Sequence, residues 1–340
     1  VAHRHRRLEH RGIRGLRPSC RHRRQVLVQA LGLRRRAAPH GYPAPGLPAT
    51  VISRTSSSRA AAAALGEARA RGMAAIEADF ALHPFAGRAA TRAIAYAQGK
   101  GLAVIASAAQ AAYLDDGGDP DVTPVVISAE YLGAPDPGHV ELRTDVRKRG
   151  RTTSFVNVEA VQGDRVYVQA AVTLARRDEG EERYAETLPV DAMPPTPPAD
   201  ALAWDPEHPA AKIFKVGRVA EVHYDASTLP VIEGRTGAAE TRGWVRLREE
   251  PLSGLFALLA TDISLPVVAN LGGVGWAPTI TLTASVRREP VDGWLRFRAT
   301  APVVGQRWFE EDHVLVDESG HVVATSRQLA MMPAPRPPKS

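Results

Sequence analysis

Tyr131-Leu-Gly-Ala-Pro-Asp-Pro-Gly-His-Val-Glu-Leu142 and Val286-Arg-Arg-Glu-Pro-Val-Asp-Gly-Trp-Leu-Arg-Phe297 are two versions of one pattern, separated by 155 residues. Turn-forming residues recur at the same places, and the apolar residues keep the same strand phase. A shared pattern at constant offset predicts that a whole small domain is duplicated. The matched pairs are Pro135 and Pro290, Gly138 and Gly293, Gly150 and Gly305, Val140 and Leu295, and Leu142 and Phe297.

Each copy predicts one buried helix followed by antiparallel strands. Residues 99–115 and 252–263 are apolar on nearly every face, so other structure must surround both helices. Alternation of apolar and charged residues over 140–147 indicates a sheet with one buried face and one solvent-exposed face. We predict strands at about 123–131, 139–148, 152–161, 165–176, 214–224, 240–249, 279–289, 294–303, 308–317 and 321–332.

One buried helix enclosed by a curled antiparallel sheet is the hotdog fold, so the fold class is α+β with two hotdogs in tandem. We expect an N-terminal hotdog at 73–188, whose start could be incomplete, and a C-terminal hotdog at 205–333. The Pro-rich stretch 189–204 reads as the linker, because proline neither continues a helix nor pairs inside a sheet. Residues 1–72 and 334–340 lie outside both units.

Composition indicates a soluble intracellular protein. Cys20 is the only cysteine, which excludes an intrachain disulfide and suits a reducing cytoplasm. No apolar run is long enough to cross a bilayer, so we expect no membrane insertion. The net charge of +6 combines two unlike parts: residues 1–98 hold eighteen Arg against four acids, whereas the rest of the chain is mildly acidic.

The basic segment 1–98 has several readings. Clustered arginine suits a nucleic-acid arm, and an Arg- and Ser-rich, acid-poor stretch suits a transit peptide. We favour a low-complexity segment without a fold, and within it a mistranslated stretch with translation starting near Met73. On that reading no nucleic-acid partner is expected.

Three features resemble the double-hotdog acyl-CoA thioesterases of the thioesterase II type: the helix-strand-strand-strand order, Arg147-Lys-Arg-Gly-Arg151 opening a strand, and Asp317-Glu-Ser-Gly-His-Val-Val-Ala-Thr-Ser-Arg-Gln328. The resemblance covers about 99–333. It implies hydrolysis of fatty acyl-CoA to free acid and CoA, without a metal or other cofactor. By resemblance the catalytic residues are Asp262, Thr279 and Gln328.

The repeat tests that assignment, because a structural role recurs in both copies and a catalytic role need not. Subtracting 155 from the three positions gives Ser107, Pro124 and Thr173, so only the C-terminal copy carries the trio. Such a trio can hold a water molecule for attack on a thioester carbonyl. Each residue also has a purely structural interpretation: Asp262 could cap a turn, Thr279 could be an ordinary strand residue, and Gln328 could be a buried amide bonded to the backbone.

The expected substrate also predicts an oxyanion site and a binding site for the phosphates of CoA. The resemblance places an oxyanion site at the start of the first helix, near Gly99 and Gly101, where free N–H groups and the helix dipole coincide. CoA phosphates predict cations at the pocket mouth, and we expect Arg149 and Arg151 to bind there. Further candidates are Arg147, Lys148, Arg287 and Arg288.

Two other function classes stay open. A hotdog hydratase or dehydratase would use an Asp–His pair, and no histidine neighbours Asp262 in sequence. A noncatalytic acyl-CoA-binding hotdog would keep the pocket and lose the water-holding groups. Four histidines of the folded region show no spacing typical of a metal site, namely His208, His223, His313 and His321. We also expect the protein to assemble into a homo-oligomer.

Overall fold

The computed structural model describes most of the chain beyond residue 100 and one short earlier strand. Among the described residues no helix is long and apolar enough to cross a membrane. The predictions for Gly99, for the tail 334–340 and for 1–98, apart from that strand, lie outside the described residues. The described ranges are 33–35, 101–133, 140–205, 220–248, 251–273, 275 and 277–333.

Twelve strands and two α-helices make up the described architecture. The helices are α1 (Leu102–Asp115) and α2 (Gly254–Ala260). The strands are β1 (Leu33–Arg35), β2 (Thr123–Tyr131), β3 (Glu141–Lys148), β4 (Thr153–Gln162), β5 (Arg165–Ala175), β6 (Leu202–Trp204), β7 (Ala220–Tyr224), β8 (Glu240–Leu247), β9 (Thr279–Val286), β10 (Leu295–Thr300), β11 (Trp308–Val316) and β12 (Val322–Met331).

All twelve strands join one antiparallel sheet in the order β1-β6-β7-β8-β10-β11-β12-β9-β2-β5-β4-β3. The expectation of a large antiparallel sheet with few helices is confirmed. Nine predicted strands lie within a few residues of β2 to β5 and β8 to β12, and the tenth matches β7. The part of the 214–224 prediction before residue 220 lies outside the described residues.

Two predicted boundaries differ from the structure. The second helix was expected at 252–263 but spans seven residues, because Ser253 caps its start by accepting a hydrogen bond from Phe256 N and the backbone turns at Thr261. In the stretch 189–204, residues Pro189–Ala192 form a 3-10 helix and the last three residues form β6, paired with β7.

The repeat appears in the sheet as an approximate two-fold axis. Strands β2 and β9, which begin the two copies of the strand pattern, pair antiparallel at the centre. Ser128 lies opposite Thr283, its own equivalent at an offset of 155, and Thr283 Oγ1 donates to Ser128 Oγ over 3.1 Å. An antiparallel pair of equivalent strands has its axis where equivalent residues meet, so the axis passes between these two side chains.

Local details of the two copies also agree. Gly150 lies against the carbonyl of Thr153, and Gly305 lies against the carbonyl of Trp308, which leaves little room for a side chain at either turn. The β2–β5 and β9–β12 pairs are both irregular at the start of their first strand, at Pro124 and at Thr279. Such bulges re-aim side chains, and the second one lies at a predicted catalytic residue.

The helices pack on the same side of the sheet and contact each other. Helix α1 packs against β2 to β5, and α2 packs against β9 and β12. Leu102, Ala103 and Phe256 are fully buried where the helices pack on these strands. Buried apolar surface stabilises by about 25 cal/mol per Å², which makes this shared core the main source of stability.

Candidate active site

Two of the three predicted catalytic residues form a direct hydrogen bond. Thr279 at the start of β9 donates its hydroxyl to Gln328 Oε1 on β12 over 2.7 Å. Both side chains are buried, with exposed fractions of 7% and 5%. The irregular register between β9 and β12 brings them together, because it sets Thr279 opposite Ala330 rather than Met331, and Ala330 lies on the same face of β12 as Gln328.

Asp262 lies two residues beyond the end of α2, in the turn that follows the helix. Its N–H donates to Leu259 O over 3.1 Å. The neighbouring carbonyl of Thr261 accepts a 3.0 Å hydrogen bond from Ser326 Oγ. Ser326 precedes Gln328 by two residues, so it lies on the same face of β12. The turn carrying Asp262 is therefore tied to the face of the sheet that carries Gln328.

Tyr131, at the end of β2, brings the N-terminal half into the site. Burial raises the pKa of its phenol well above the usual value, and the negative charge of Asp262 raises that pKa further. The phenol is therefore neutral at physiological pH. Its hydroxyl is shielded from solvent and has no hydrogen-bond partner among the described residues. A neutral, buried hydroxyl near Asp262 is a hydrogen-bond donor available to a bound molecule.

Glu311, on β11, is buried beside Gln328 and was not predicted as a site residue. Its side chain is 1% exposed. Glu311 Oε1 accepts a 3.0 Å hydrogen bond from Gln328 Nε2, and Oε2 accepts a 2.8 Å hydrogen bond from Val267 N. One buried carboxylate thus connects β12 with the segment that follows Asp262.

His313 also faces this interior, two residues along β11 from Glu311. Its Nε2 lies 2.7 Å from Ser264 Oγ and 3.5 Å from Glu311 Oε1. The sequence places no histidine next to Asp262, but the fold brings His313 to the hydroxyl of Ser264, two residues from Asp262. Proximity in sequence was therefore the wrong test for a histidine at this site.

The positions of the N-terminal half that correspond to Glu311, His313 and Gln328 are apolar. Glu311 lies opposite Gln328 in the β11–β12 pair, and its equivalent Val156 lies opposite Val172 in the β4–β5 pair. Gln328 therefore corresponds to Val172, whereas the constant offset of 155 predicts Thr173. His313 corresponds to Val158. Ser107, the equivalent of Asp262, donates its hydroxyl back to Ala103 O over 2.7 Å within α1. Among the described residues, the buried polar cluster of Glu311, His313 and Gln328 therefore has no counterpart in the N-terminal half.

The predicted binding residues lie at opposite ends of α1. Gly101 is the residue before its first turn, whereas Arg149 donates a hydrogen bond to the carbonyl of Asp116 just after its last turn. A helix of this length spans roughly 20 Å. Arg151 lies exposed beside Arg149 in the turn between β3 and β4.

Of the other cationic candidates, Lys148 lies over the ring of Phe155, and the three arginines have acidic partners. Arg147 pairs with Asp145 at 2.9 Å, and Arg287 lies 3.8 Å from Asp178. Arg288 lies 3.4 Å from Glu182, which also accepts a hydrogen bond from His321.

In the described part of the chain, one group of side chains has ligand atoms close enough to hold a metal ion, namely Glu181, Glu182 and His321. Arg288 already places a positive charge 3.4 Å from Glu182. This cluster includes none of the three predicted catalytic residues.

A signal for Glu311 and His313 was present in the sequence. Strand alternation over β11 puts Phe309, Glu311, His313 and Leu315 on one face, and two of those residues are apolar. Charged or titratable residues at core positions, where the other copy has valine, indicate a special role. Tyr131 had no such signal, because the charge that acts on it, that of Asp262, comes from the other half.

Comparison with protein families matches both halves of the chain. The family description "Acyl-CoA thioesterase N-terminal domain" matches residues 99–175, and "Acyl-CoA thioesterase C-terminal domain" matches residues 190–332. An uncharacterised protein of Mycobacterium tuberculosis is 40% identical over 247 residues, which cover 68% of this chain and 84% of that protein.

Solved structures agree with the fold. A protein from Thermobifida fusca, described as a candidate thioesterase II, is 30% identical with a TM-score of 0.54, over 62% of this chain and 79% of that chain. A hot dog fold protein of unknown function from Alicyclobacillus acidocaldarius has a TM-score of 0.58 at 19% identity, over 69% of this chain and 86% of that chain. The second likeness concerns the fold alone.

Proposed function

Because this chain belongs to the acyl-CoA thioesterase family, we propose that it hydrolyses fatty acyl-CoA to the free acid and CoA with a water molecule held by Asp262, Thr279 and Gln328. The single observation that carries the proposal is the buried 2.7 Å hydrogen bond between Thr279 and Gln328. It joins two polar side chains on the same interior face as the turn of Asp262, in the half whose twin has valine and proline there.

The proposed reaction needs no covalent intermediate. Asp262 takes a proton from the bound water as its oxygen attacks the thioester carbonyl carbon, and the carbonyl becomes a tetrahedral oxyanion. When the oxyanion collapses, the carbon–sulfur bond breaks and the CoA thiolate takes the proton back from Asp262. Thr279 and Gln328 hold the water in position, so that the attack is effectively unimolecular.

The oxyanion requires hydrogen-bond donors, and the proposal assigns that task to backbone N–H groups at the start of α1, near Gly99 and Gly101. Donors fixed there before the reaction stabilise charge that develops in the transition state. Arg149 and Arg151 are proposed to bind the phosphates of CoA. Support for this division of labour is that the basic turn and Gly101 lie a helix length apart, which suits an elongated substrate.

The same proposal includes the architecture. We assign residues 73–188 and 205–333 to two hotdogs in tandem, each with one buried helix, joined through the linker 189–204. Support comes from the central β2–β9 pair, where equivalent residues meet. Assembly into a homo-oligomer and a role in cytoplasmic fatty acid metabolism are further parts of the proposal, the latter resting on the substrate class and on the single cysteine.

The test is to incubate the full chain with acyl-CoAs of increasing chain length and to detect the released thiol. We expect thiol release, and we expect Asp262→Asn to lower kcat by about 10³-fold, the usual size of a lost general base. Asp164→Asn, in an exposed turn, is the matched control and should leave kcat unchanged. Undiminished release by Asp262→Asn would exclude the mechanism.

One observation favours a second candidate, a hotdog hydratase or dehydratase. His313 supplies an imidazole within hydrogen-bonding distance of Ser264, close to Asp262 in the chain. A hydratase would remove the conjugated double bond of an enoyl-CoA without releasing thiol. Following both absorbance of the conjugated bond and free thiol in one sample separates the two reactions, and binding without either change would favour the noncatalytic acyl-CoA-binding alternative.

A further inference from the structure

Glu311 is a buried carboxylate that the proposed reaction does not use. It lies at a core position of β11 with 1% of its side chain exposed, and its equivalent in the N-terminal half is Val156. The fold therefore accepts an apolar residue at this position. A buried carboxylate is costly unless hydrogen bonds satisfy it, so its presence in one half indicates a role beyond packing.

Each oxygen of Glu311 binds a different part of the candidate site. Oε1 accepts the 3.0 Å hydrogen bond from Gln328 Nε2, and Oε2 accepts the 2.8 Å hydrogen bond from Val267 N. Val267 follows Asp262 by five residues in the segment between α2 and β9. The carboxylate therefore fixes the distance between the strand that carries Gln328 and the segment that carries Asp262.

The hydrogen bonds of Glu311 also decide which way the Gln328 amide points. Both carboxyl oxygens act as acceptors, and Oε1 accepts from Gln328 Nε2, so the NH₂ group of Gln328 faces Glu311 and its oxygen faces Thr279. That orientation makes Thr279 the donor of the 2.7 Å bond. With an apolar or amide side chain at position 311, the two orientations of Gln328 would no longer differ in this way.

We infer that Glu311 is a positioning residue, which fixes the orientation of the Gln328 amide and anchors the segment carrying Asp262. This inference rests on the proposed function, because it concerns the same hydrolytic site. A second contact supports the anchoring: His313, also on β11, lies 2.7 Å from Ser264 Oγ in that segment. β11 thus holds the segment at two points, Ser264 and Val267.

The first test is Glu311→Gln in the full chain. The new amide has one accepting oxygen for two N–H donors, so Gln328 or Val267 loses its acceptor. Glu311 does not touch the substrate in the proposed mechanism. We therefore expect kcat for acyl-CoA hydrolysis to fall about tenfold or more, with KM unchanged. Glu310→Gln, the next residue on the exposed side of the same strand, is the matched control and should retain kcat.

A second measurement is independent of catalysis. In ¹⁵N-labelled protein, the side-chain NH₂ signals of Gln328, identified by their loss in Gln328→Glu, should shift in Glu311→Gln and stay in place in Glu310→Gln. Should Glu311→Gln fail to fold, Glu311→Val, which copies Val156, replaces it in both measurements.

The outcomes separate the two claims. If the wild-type chain hydrolyses no acyl-CoA while the Gln328 signals respond to the substitution, the proposed function fails and the positioning contact stands. If Gln328 signals and kcat are both unchanged, or if activity falls only in proportion to the fraction of folded protein, the inference is overturned.

Discussion

The two halves of the molecule share one backbone plan and differ in what their interiors contain. Behind α1, the strands β4 and β5 present Val156, Val158 and Val172, whereas behind α2 the equivalent strands present Glu311, His313 and Gln328. The comparison teaches that the hotdog architecture needs only apolar residues at these positions. The polar cluster of the second half is an addition to this plan, in which Gln328 hydrogen-bonds to both Glu311 and Thr279.

The halves also depend on each other. The central β2–β9 pair merges them into one sheet, and Tyr131 of the first half reaches the surroundings of Asp262 in the second. Arg177 of the first half is buried and forms an ion pair with Glu289 of the second half. Its guanidinium also donates a 3.1 Å hydrogen bond to Pro124 O. Burial lowers the pKa of Arg177 to about 10. The first half therefore contributes Tyr131 to the surroundings of Asp262.

Exchanging residues between the halves gives the largest expected effect. Gln328→Val installs the residue of the apolar half and should lower kcat by about 10³-fold, because the water loses a positioning group. Val172→Gln makes the reverse change. It should leave kcat unchanged and lower the free energy of unfolding by about 1–3 kcal/mol, because it buries an amide without partners.

Steady-state thiol release and urea unfolding of both variants test this pair. Equal losses of kcat in the two variants would contradict the division into one catalytic and one scaffolding half.

A smaller effect tests whether the first half reaches into the chemistry. Tyr131→Phe removes only a buried hydroxyl, so we expect stability to be unchanged within about 1 kcal/mol. We expect kcat to fall about tenfold if the phenol donates a hydrogen bond to the reacting groups. Tyr167→Phe, in the same half beside Arg165, is the matched control, and kinetics of both variants at saturating substrate provide the comparison. Identical kcat values for wild type and Tyr131→Phe would confine the site to the second half.

The smallest effect concerns the ion pairs at the outer strands. A hydrogen bond from His223 and the charge of Arg246 lower the pKa of Glu221 to about 2, against the opposing effect of burial. An unfolded glutamate has a pKa of about 4.3, so this stabilisation is complete above that pH and is lost as pH falls toward about 2. Glu221→Gln should cost about 1 kcal/mol near neutral pH after allowance for solvent screening, and progressively less in acid.

The exposed pair of Asp145 and Arg147 in the first half provides the contrast. Asp145→Asn should cost no more than about 0.5 kcal/mol at any pH, because both side chains are mostly in water. Urea unfolding of both variants at several pH values measures the difference. A pH-independent cost for Glu221→Gln would refute the coupling to His223 and Arg246.

Much of the fold could be predicted from local pattern. Alternation located the strands, the nearly all-apolar stretches located the helices, and the offset of 155 residues located the pair at which equivalent side chains meet. The length of α2 could not be predicted in this way, because its end at Ala260 depends on a turn held by Ser326 from a distant strand. The equivalence of Gln328 to Val172 was also hidden, since a one-residue difference between hairpins becomes visible only in the strand register.

The sequence alone determined the duplication, the class of fold and the resemblance to acyl-CoA thioesterases, because repeats, alternation and motifs are properties of neighbouring residues in the chain. Only the tertiary structure decided that Thr279 donates to Gln328, that Glu311 accepts a hydrogen bond from Gln328, and that the charge of Asp262 acts on Tyr131. The physical reason is that these contacts join residues far apart in sequence, through strand register and helix packing that depend on the whole core.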